Sequence, residues 1–130
     1  CRVPLIISQQ GVTSQGFCSE IVSNGLDLFP TLCDYAGIEP PAELAGRSLR
    51  ALAEGMQSLP AREFIPVESE IGRMIVTEDY KYMLFDNGEN CEQLYDLKND
   101  PGETKNNAAE PANESIVAKC QSFFTQQFGS

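Results

Sequence analysis

The sequence predicts an α+β protein. One strand and one helix form the end of an α/β domain, and a small antiparallel sheet of about four strands follows, packed by a C-terminal helix. Three observations predict this. An apolar, β-branched run, Val3 to Ser8, leads through a polar loop into a helical stretch. Between Phe64 and Leu97, short strand-like runs alternate with turn residues. From Pro111 to Phe128, apolar residues recur at helical spacing.

The elements follow in order. Val3 to Ser8 has the composition of a buried strand, and Gln9 to Gly16 is polar and contains glycine, as a loop does. Asp27 is the expected N-cap of the first helix, with Pro30 in its first turn, where N–H groups lack helical partners. Leu28, Leu32 and Tyr35 would line its packed face, and Gly37 would end it. Pro40-Pro41 breaks the chain, and a short helix is expected from Ser48 to Glu54. Domain organisation is read as residues 1–57, the terminal strand, helix and connector, and residues 58–130, the α+β subdomain.

Phe64 to Ser69 is an edge-strand candidate because Pro66 cannot donate to a ladder. Arg73 to Thr77 and Tyr80 to Phe85 flank Glu78-Asp79 as a hairpin. Asn87-Gly88 marks the next turn, and Gln93 to Leu97 makes the last strand. In the final helix Ile116, Val117, Cys120, Phe123, Phe124 and Phe128 form a stripe that needs the sheet to cover it, with Pro111 in the first turn and Gly129 at the end.

Composition excludes several function classes. A net charge of −10 repels phosphate backbones, so no nucleic-acid partner is expected. No apolar run approaches the ~18 residues of a membrane span. There is no histidine, which removes the commonest general base and the commonest metal ligand. The five cysteines, none at C-x-x-C spacing, are read mainly as buried free thiols.

Few residues invite chemistry. Asp96, Asp100 and Glu103 cluster in acid, but Asp100-Pro101-Gly102 is a turn whose aspartate is suited to bonding backbone N–H groups, so no metal ligand is assigned. Glu68, Glu70 and Arg73 flank the first hairpin junction, where a surface ion pair is the simplest arrangement. Lys81, between two tyrosines on a strand, should face solvent or the rest of a larger protein. Asn113-Glu114-Ser115 is a glycosylation sequon, but its place at a helix makes it incidental.

Leu94-Tyr95-Asp96-Leu97, followed by Asp100-Pro101, Glu103 and Asn106, resembles the signature near the C-terminus of sulfatases. Arg2-Val3-Pro4-Leu5-Ile6-Ile7 and Asp27-Leu28-Phe29-Pro30-Thr31-Leu32, the latter followed by Ala36-Gly37-Ile38, match the same family in the same order. The resemblance implies the C-terminal portion of an arylsulfatase-like hydrolase of the alkaline phosphatase superfamily.

By that resemblance, the parent cleaves sulfate esters through a formylglycine beside a divalent metal, usually calcium, both supplied upstream. No catalytic residue and no metal ligand is assigned to this chain, which alone should be inactive. Ser58-Leu59-Pro60-Ala61-Arg62 fits the serine form of the formylglycine motif but stands on the wrong side of the Arg-Val-Pro strand, so it is rejected. Loops of the family's C-terminal subdomain border the substrate pocket, which makes Glu70 and Arg73 the candidate substrate-proximal residues. The implied partners are the remainder of the parent chain and a sulfated small molecule or glycan. The family's usual compartments are periplasmic, lysosomal or secreted. A phosphonate or phosphate ester hydrolase is the alternative enzyme, and a non-catalytic interaction module is the alternative of another class.

Overall fold

A computed structural model describes residues 3–56 and 59–129. The chain divides into two compact units, Cys1–Ala61 and Arg62–Ser130. The expected division between residues 57 and 58 lies outside the described residues, as do Cys1, Arg2 and Ser58.

The first unit departs most from expectation. Val3 to Ser8 pairs with no strand among the described residues, and Ile6 is exposed. A strand needs a neighbouring edge for its N–H and C=O groups, and the described residues of this unit offer none. The loop after it is as expected, closed by hydrogen bonds from Val12 N and Thr13 N to Gln9 O, both 3.1 Å.

Helix α1 spans Asn24–Ala36. Its N-cap is Ser23 rather than Asp27, because Ser23 Oγ reaches back to accept from Leu26 N. Asp27 instead lies one turn inside, where its carboxylate accepts from Ser23 N at 2.8 Å. Pro30 therefore falls in the second turn, where its missing N–H leaves the Leu26 carbonyl without its helical donor. Gly46 lies against that carbonyl: a Cβ there would sit 1.8 Å from Leu26 O. Gly37 ends α1 at φ 68°, with Ile38 N donating to Cys33 O at 2.9 Å.

The face of α1 that meets residues 47–50 is polar, with Pro30 and Cys33 also buried on the helix. Asp27 accepts from Arg47 N at 3.0 Å, and Thr31 Oγ1 accepts from Leu49 N at 2.9 Å. Asp34 accepts from Ser48 Oγ at 2.6 Å and pairs with Arg50 at 3.2 Å. These three residues repeat at i, i+4 and i+7, so one helix face straps down residues 46–50. Of the expected packed face, Leu28 and Leu32 are exposed and Tyr35 is half-buried. Hydropathy indicated which face was apolar, but the buried carboxylate and hydroxyl are satisfied by backbone donors far along the chain, which sequence spacing does not reveal. The short helix α2, Arg50–Ala53, continues from this strap, and Ser14 docks on it through Ala53 O and Glu54 O, both at 2.8 Å.

The second unit matches expectation closely. Strands β1 (Ile65–Ser69), β2 (Gly72–Val76), β3 (Tyr80–Phe85) and β4 (Glu92–Asp96) form an antiparallel sheet in sequence order. A 3₁₀ turn at Pro111–Asn113 leads into helix α3, Glu114–Phe128. The pairings Pro66↔Ile75, Ile75↔Tyr82 and Tyr82↔Leu94 put these residues on one face of the sheet. There Tyr82 and Leu94 meet Val117 and Cys120 of α3 in the core, each buried. Phe64 stacks on Phe123 at 4.7 Å, and Phe124 meets Tyr82 edge-on at 6.2 Å. Each fully buried side chain of this size contributes about 1.5–3 kcal/mol, so the α3 stripe is sufficient reason for its dock. Burial holds the Cys120 thiol above its ordinary pKa, an inert core group. The four described cysteines are free, Cys33 and Cys120 buried but Cys18 exposed and Cys91 half-buried.

Candidate functional site

The β1–β2 hairpin closes on Glu70-Ile71, and Ser69 Oγ donates to Gly72 O at 2.8 Å. Glu70 is exposed at the tip of this turn. Glu68 and Arg73 are directly opposed in the ladder, and Arg73 Nε donates to Glu68 Oε1 at 3.0 Å. The Arg73 guanidinium also lies over the Phe128 ring, 5.5 Å from its centroid. One edge of the guanidinium is thus fixed by Glu68 and one face by Phe128. The geometry holds Arg73 in place and leaves Glu70 in solvent.

Of the two expectations for Lys81, solvent or the rest of a larger protein, the first is corrected. Lys81 is only 7% exposed, on the sheet face opposite α3, paired across strands with Val76 and Tyr95. Its Nζ bonds both carboxylate oxygens of Glu103. Sequence alternation was a fair guide to which face Lys81 occupies, but not to the loop that returns to cover it.

That loop uses every member of the acidic cluster structurally. Asp96 accepts from Asn99 Nδ2 at 2.8 Å and from the N–H groups of Asn99 and Lys98, which together hold its pKa below the ordinary aspartate value. Asp100 accepts from Lys105 N at 2.9 Å and from Thr104 N at 2.7 Å, and these bonds lower its pKa likewise. Asn106 completes the set. Its Oδ1 accepts from Leu94 N and Ala108 N, both 3.0 Å, and its Nδ2 donates to Glu92 O at 3.1 Å. A side-chain amide thereby stands in for a neighbouring strand along β4.

These carboxylates do not fit a divalent cation, because their oxygens already accept from backbone donors, Asn99, Thr104 and Lys81. Among the described residues there is no group of three His, Cys, Asp or Glu able to hold one. A groove of about 610 Å³ lies between the β2–β3 turn and α3, floored by Tyr80, Ile116 and Cys120 and rimmed by charges of both signs. No set of like donors converges in it.

The sequence matches the N-sulphoglucosamine sulphohydrolase C-terminal family over residues 1–128. The chain belongs to the sulfatases. It is 39% identical over 128 residues to a Delta 4,5-hexuronate-2-O-sulfatase of Bacteroides thetaiotaomicron, a match covering 91% of this chain and 26% of that protein. The solved structure of a 2-O GAG sulfatase is similar at TM-score 0.69 and 40% identity, over 78% of this chain and 23% of the other. A phosphonate monoester hydrolase of Agrobacterium radiobacter shares the fold at TM-score 0.60 and 24% identity, over 77% of this chain and 23% of the other. The chain thus spans about a quarter of the length of the relatives it matches.

Within this sulfatase region, the signature residues hold the loop against the sheet. Asp96 and Asp100 fold the loop, Glu103 anchors it to β3, and Asn106 seals the edge of β4. The resemblance placed these residues in a family, and their coordinates account for them by hydrogen bonding alone.

Proposed function

We propose that this chain is the C-terminal portion of an enzyme that hydrolyses sulfate esters on sugars. The observation carrying the reading is the 39% identity, across nearly the whole chain, to a hexuronate-2-O-sulfatase. The phosphonate hydrolase likeness, at 24% identity, supports only a common fold. In this reading residues 1–57 close an α/β catalytic domain, and residues 58–130 form the C-terminal subdomain. In this proposal the formylglycine nucleophile and calcium belong to the parent beyond this chain, whose Asp96, Asp100 and Glu103 are engaged within the signature loop, and the chain alone is inactive.

Arg73 and Glu70 are the substrate-proximal residues of this proposal. A guanidinium fixed by Glu68 and Phe128 is suited to a sulfate or uronate oxygen, because little side-chain entropy remains to be lost on binding. Glu70, at the turn, would repel misplaced anions.

The test is to express the whole gene that encodes this chain and assay a 2-O-sulfated unsaturated uronide beside an aryl phosphonate. Desulfation at least tenfold faster than phosphonate cleavage is expected, and the reverse preference would overturn the reading. Arg73→Ala should raise KM several-fold with kcat nearly unchanged. An unaltered KM would remove Arg73 from the site and leave the family reading in place.

A further inference from the structure

We infer that Asn87 is a site of spontaneous deamidation, in which the backbone nitrogen of Gly88 displaces ammonia from the Asn87 carboxamide and water opens the resulting ring. Water is the only co-reactant. The chain holds two Asn-Gly pairs, Asn24-Gly25 and Asn87-Gly88. Sequence makes them equal, and both pairs are exposed. Backbone conformation separates them.

Asn87 and Gly88 lie in the turn that joins β3 to β4, closed by the bond from Phe85 N to Cys91 O at 2.8 Å. Gly88 has φ 126°, and a Cβ there would meet nothing within 4 Å, so its nitrogen is open to approach. Cys91 Sγ donates to Gly88 O at 2.8 Å, which holds the carbonyl side of the glycine. The Gly88 N–H and the Asn87 carboxamide have no hydrogen-bond partner among the described residues. Both reacting groups are therefore free. Asn24 and Gly25 are instead the first two residues of α1. The helix fixes rotation about the Asn24 Cα–C bond, and that rotation is what brings the side-chain carbon to the next nitrogen. Asn99, Asn106, Asn107 and Asn113 donate their carboxamide N–H groups to other residues, and none precedes glycine. Asn90 precedes Cys91, whose side chain crowds the same approach.

In the reaction, Gly88 N loses its proton to solvent and bonds to Asn87 Cγ. The bond from Cγ to the carboxamide nitrogen breaks, and ammonia leaves with a proton from water. The product is a five-membered succinimide shared by the two residues. Water then adds at one of its two carbonyl carbons. Opening at Cγ leaves aspartate, and opening at the backbone carbon leaves isoaspartate, with the main chain routed through the side chain. Either product adds a carboxylate between Asp86 and Glu89. Isoaspartate also inserts a methylene into the main chain. It does so beside the bond from Asp86 N to Ile71 O, 3.1 Å, which ties this turn to the β1–β2 turn.

The test incubates the full product of the gene that encodes this chain in mildly alkaline buffer, once folded and once in urea. Its peptides are followed by mass spectrometry with electron-transfer fragmentation, which tells isoaspartate from aspartate. In urea the two Asn-Gly pairs should convert at similar rates. In the folded protein Asn87 should convert about tenfold faster than Asn24, because the helix must open before Asn24 can react. Isoaspartate should appear among the Asn87 products. Equal rates in the folded protein, or faster loss of Asn24, overturn the inference. So does an Asn87 that converts in urea but stays intact when folded. Aspartate without isoaspartate overturns the ring-closing route, since direct attack of water on the carboxamide makes aspartate alone.

Discussion

Lys81 Nζ and the Glu103 carboxylate form the ion pair that fastens the signature loop to the middle of the sheet. Glu103 is the one non-glycine residue at positive φ, 54°, among the described residues. That conformation costs a side chain about 1–2 kcal/mol, so the pair must offset it.

Lys81→Met should strand the Glu103 carboxylate beneath the loop. Breaking a fully buried pair costs about 3–5 kcal/mol, and the partial exposure of Glu103 lowers the expectation to about 2 kcal/mol. Glu103→Gly should cost less than Glu103→Gln, since glycine relieves the backbone while losing the same charge. Urea unfolding of Lys81→Met, Glu103→Gln and the double variant gives the coupling directly. Additive effects would show that the contact is not energetically a pair.

Gly46→Ala should destabilise the first unit by about 3 kcal/mol, near the top of the range for overpacking. The atom met is the Leu26 backbone carbonyl, which cannot rotate away as a side chain would. Gly16 has ordinary φ and open space around it, so Gly16→Ala is the control and should shift stability by under about 0.5 kcal/mol. Equal melting of the two variants would mean that Gly46 does not touch α1.

Asp100 gives the loop a pH dependence of definite sign. Its folded pKa is lowered, first by the bond from Lys105 N and then by those from Thr104. Such a group contributes stability that is fully present above the unfolded aspartate pKa, about 3.9. That contribution is lost as pH falls through the lower folded value. Asp96 acts in the same direction. The melting difference between the natural chain and Asp100→Asn should therefore be largest at neutral pH and vanish in strong acid. A difference constant with pH would assign it to packing instead.

The second unit was legible because its signals are local. Alternating apolar residues, Glu78-Asp79, Asn87-Gly88 and the 111–128 stripe each fix their own segment, and the strands agree within a residue or so. In the first unit the helix ending at Gly37 and the short helix within residues 48–54 were legible, but the N-cap and the packed face were not, because they depend on distant partners. Asp27 looked like an N-cap by position, yet Ser23 takes that role while Asp27 reaches Arg47 N, twenty residues away. The burial of Lys81 was missed for the same reason: its partner Glu103 follows twenty-two residues later, at positive φ. A surface ion pair among Glu68, Glu70 and Arg73 was legible from the hairpin junction, whereas its Glu68–Arg73 register and the ring of Phe128 required the structure.

Tyr82 links that packing to the polar edge of the sheet. Its ring is fully buried against Phe124, yet its hydroxyl donates to Glu92 Oε1 at 2.6 Å, and Gln121 of α3 donates to the same oxygen at 3.0 Å. Burial first, and the Glu92 carboxylate second, raise the phenol pKa well above its ordinary value. A raised pKa means stability that is complete below the unfolded tyrosine pKa, about 10, and lost as pH rises through the folded value. Tyr82→Phe keeps the ring and removes one bond to a charged acceptor, so a loss of about 1.5 kcal/mol is expected. Ultraviolet titration of tyrosinate separates this from simple packing. The last tyrosine to ionise should coincide with alkaline unfolding and be missing in Tyr82→Phe. If that step survives the substitution, the bridge from β3 through Glu92 to α3 is not what shields the phenol.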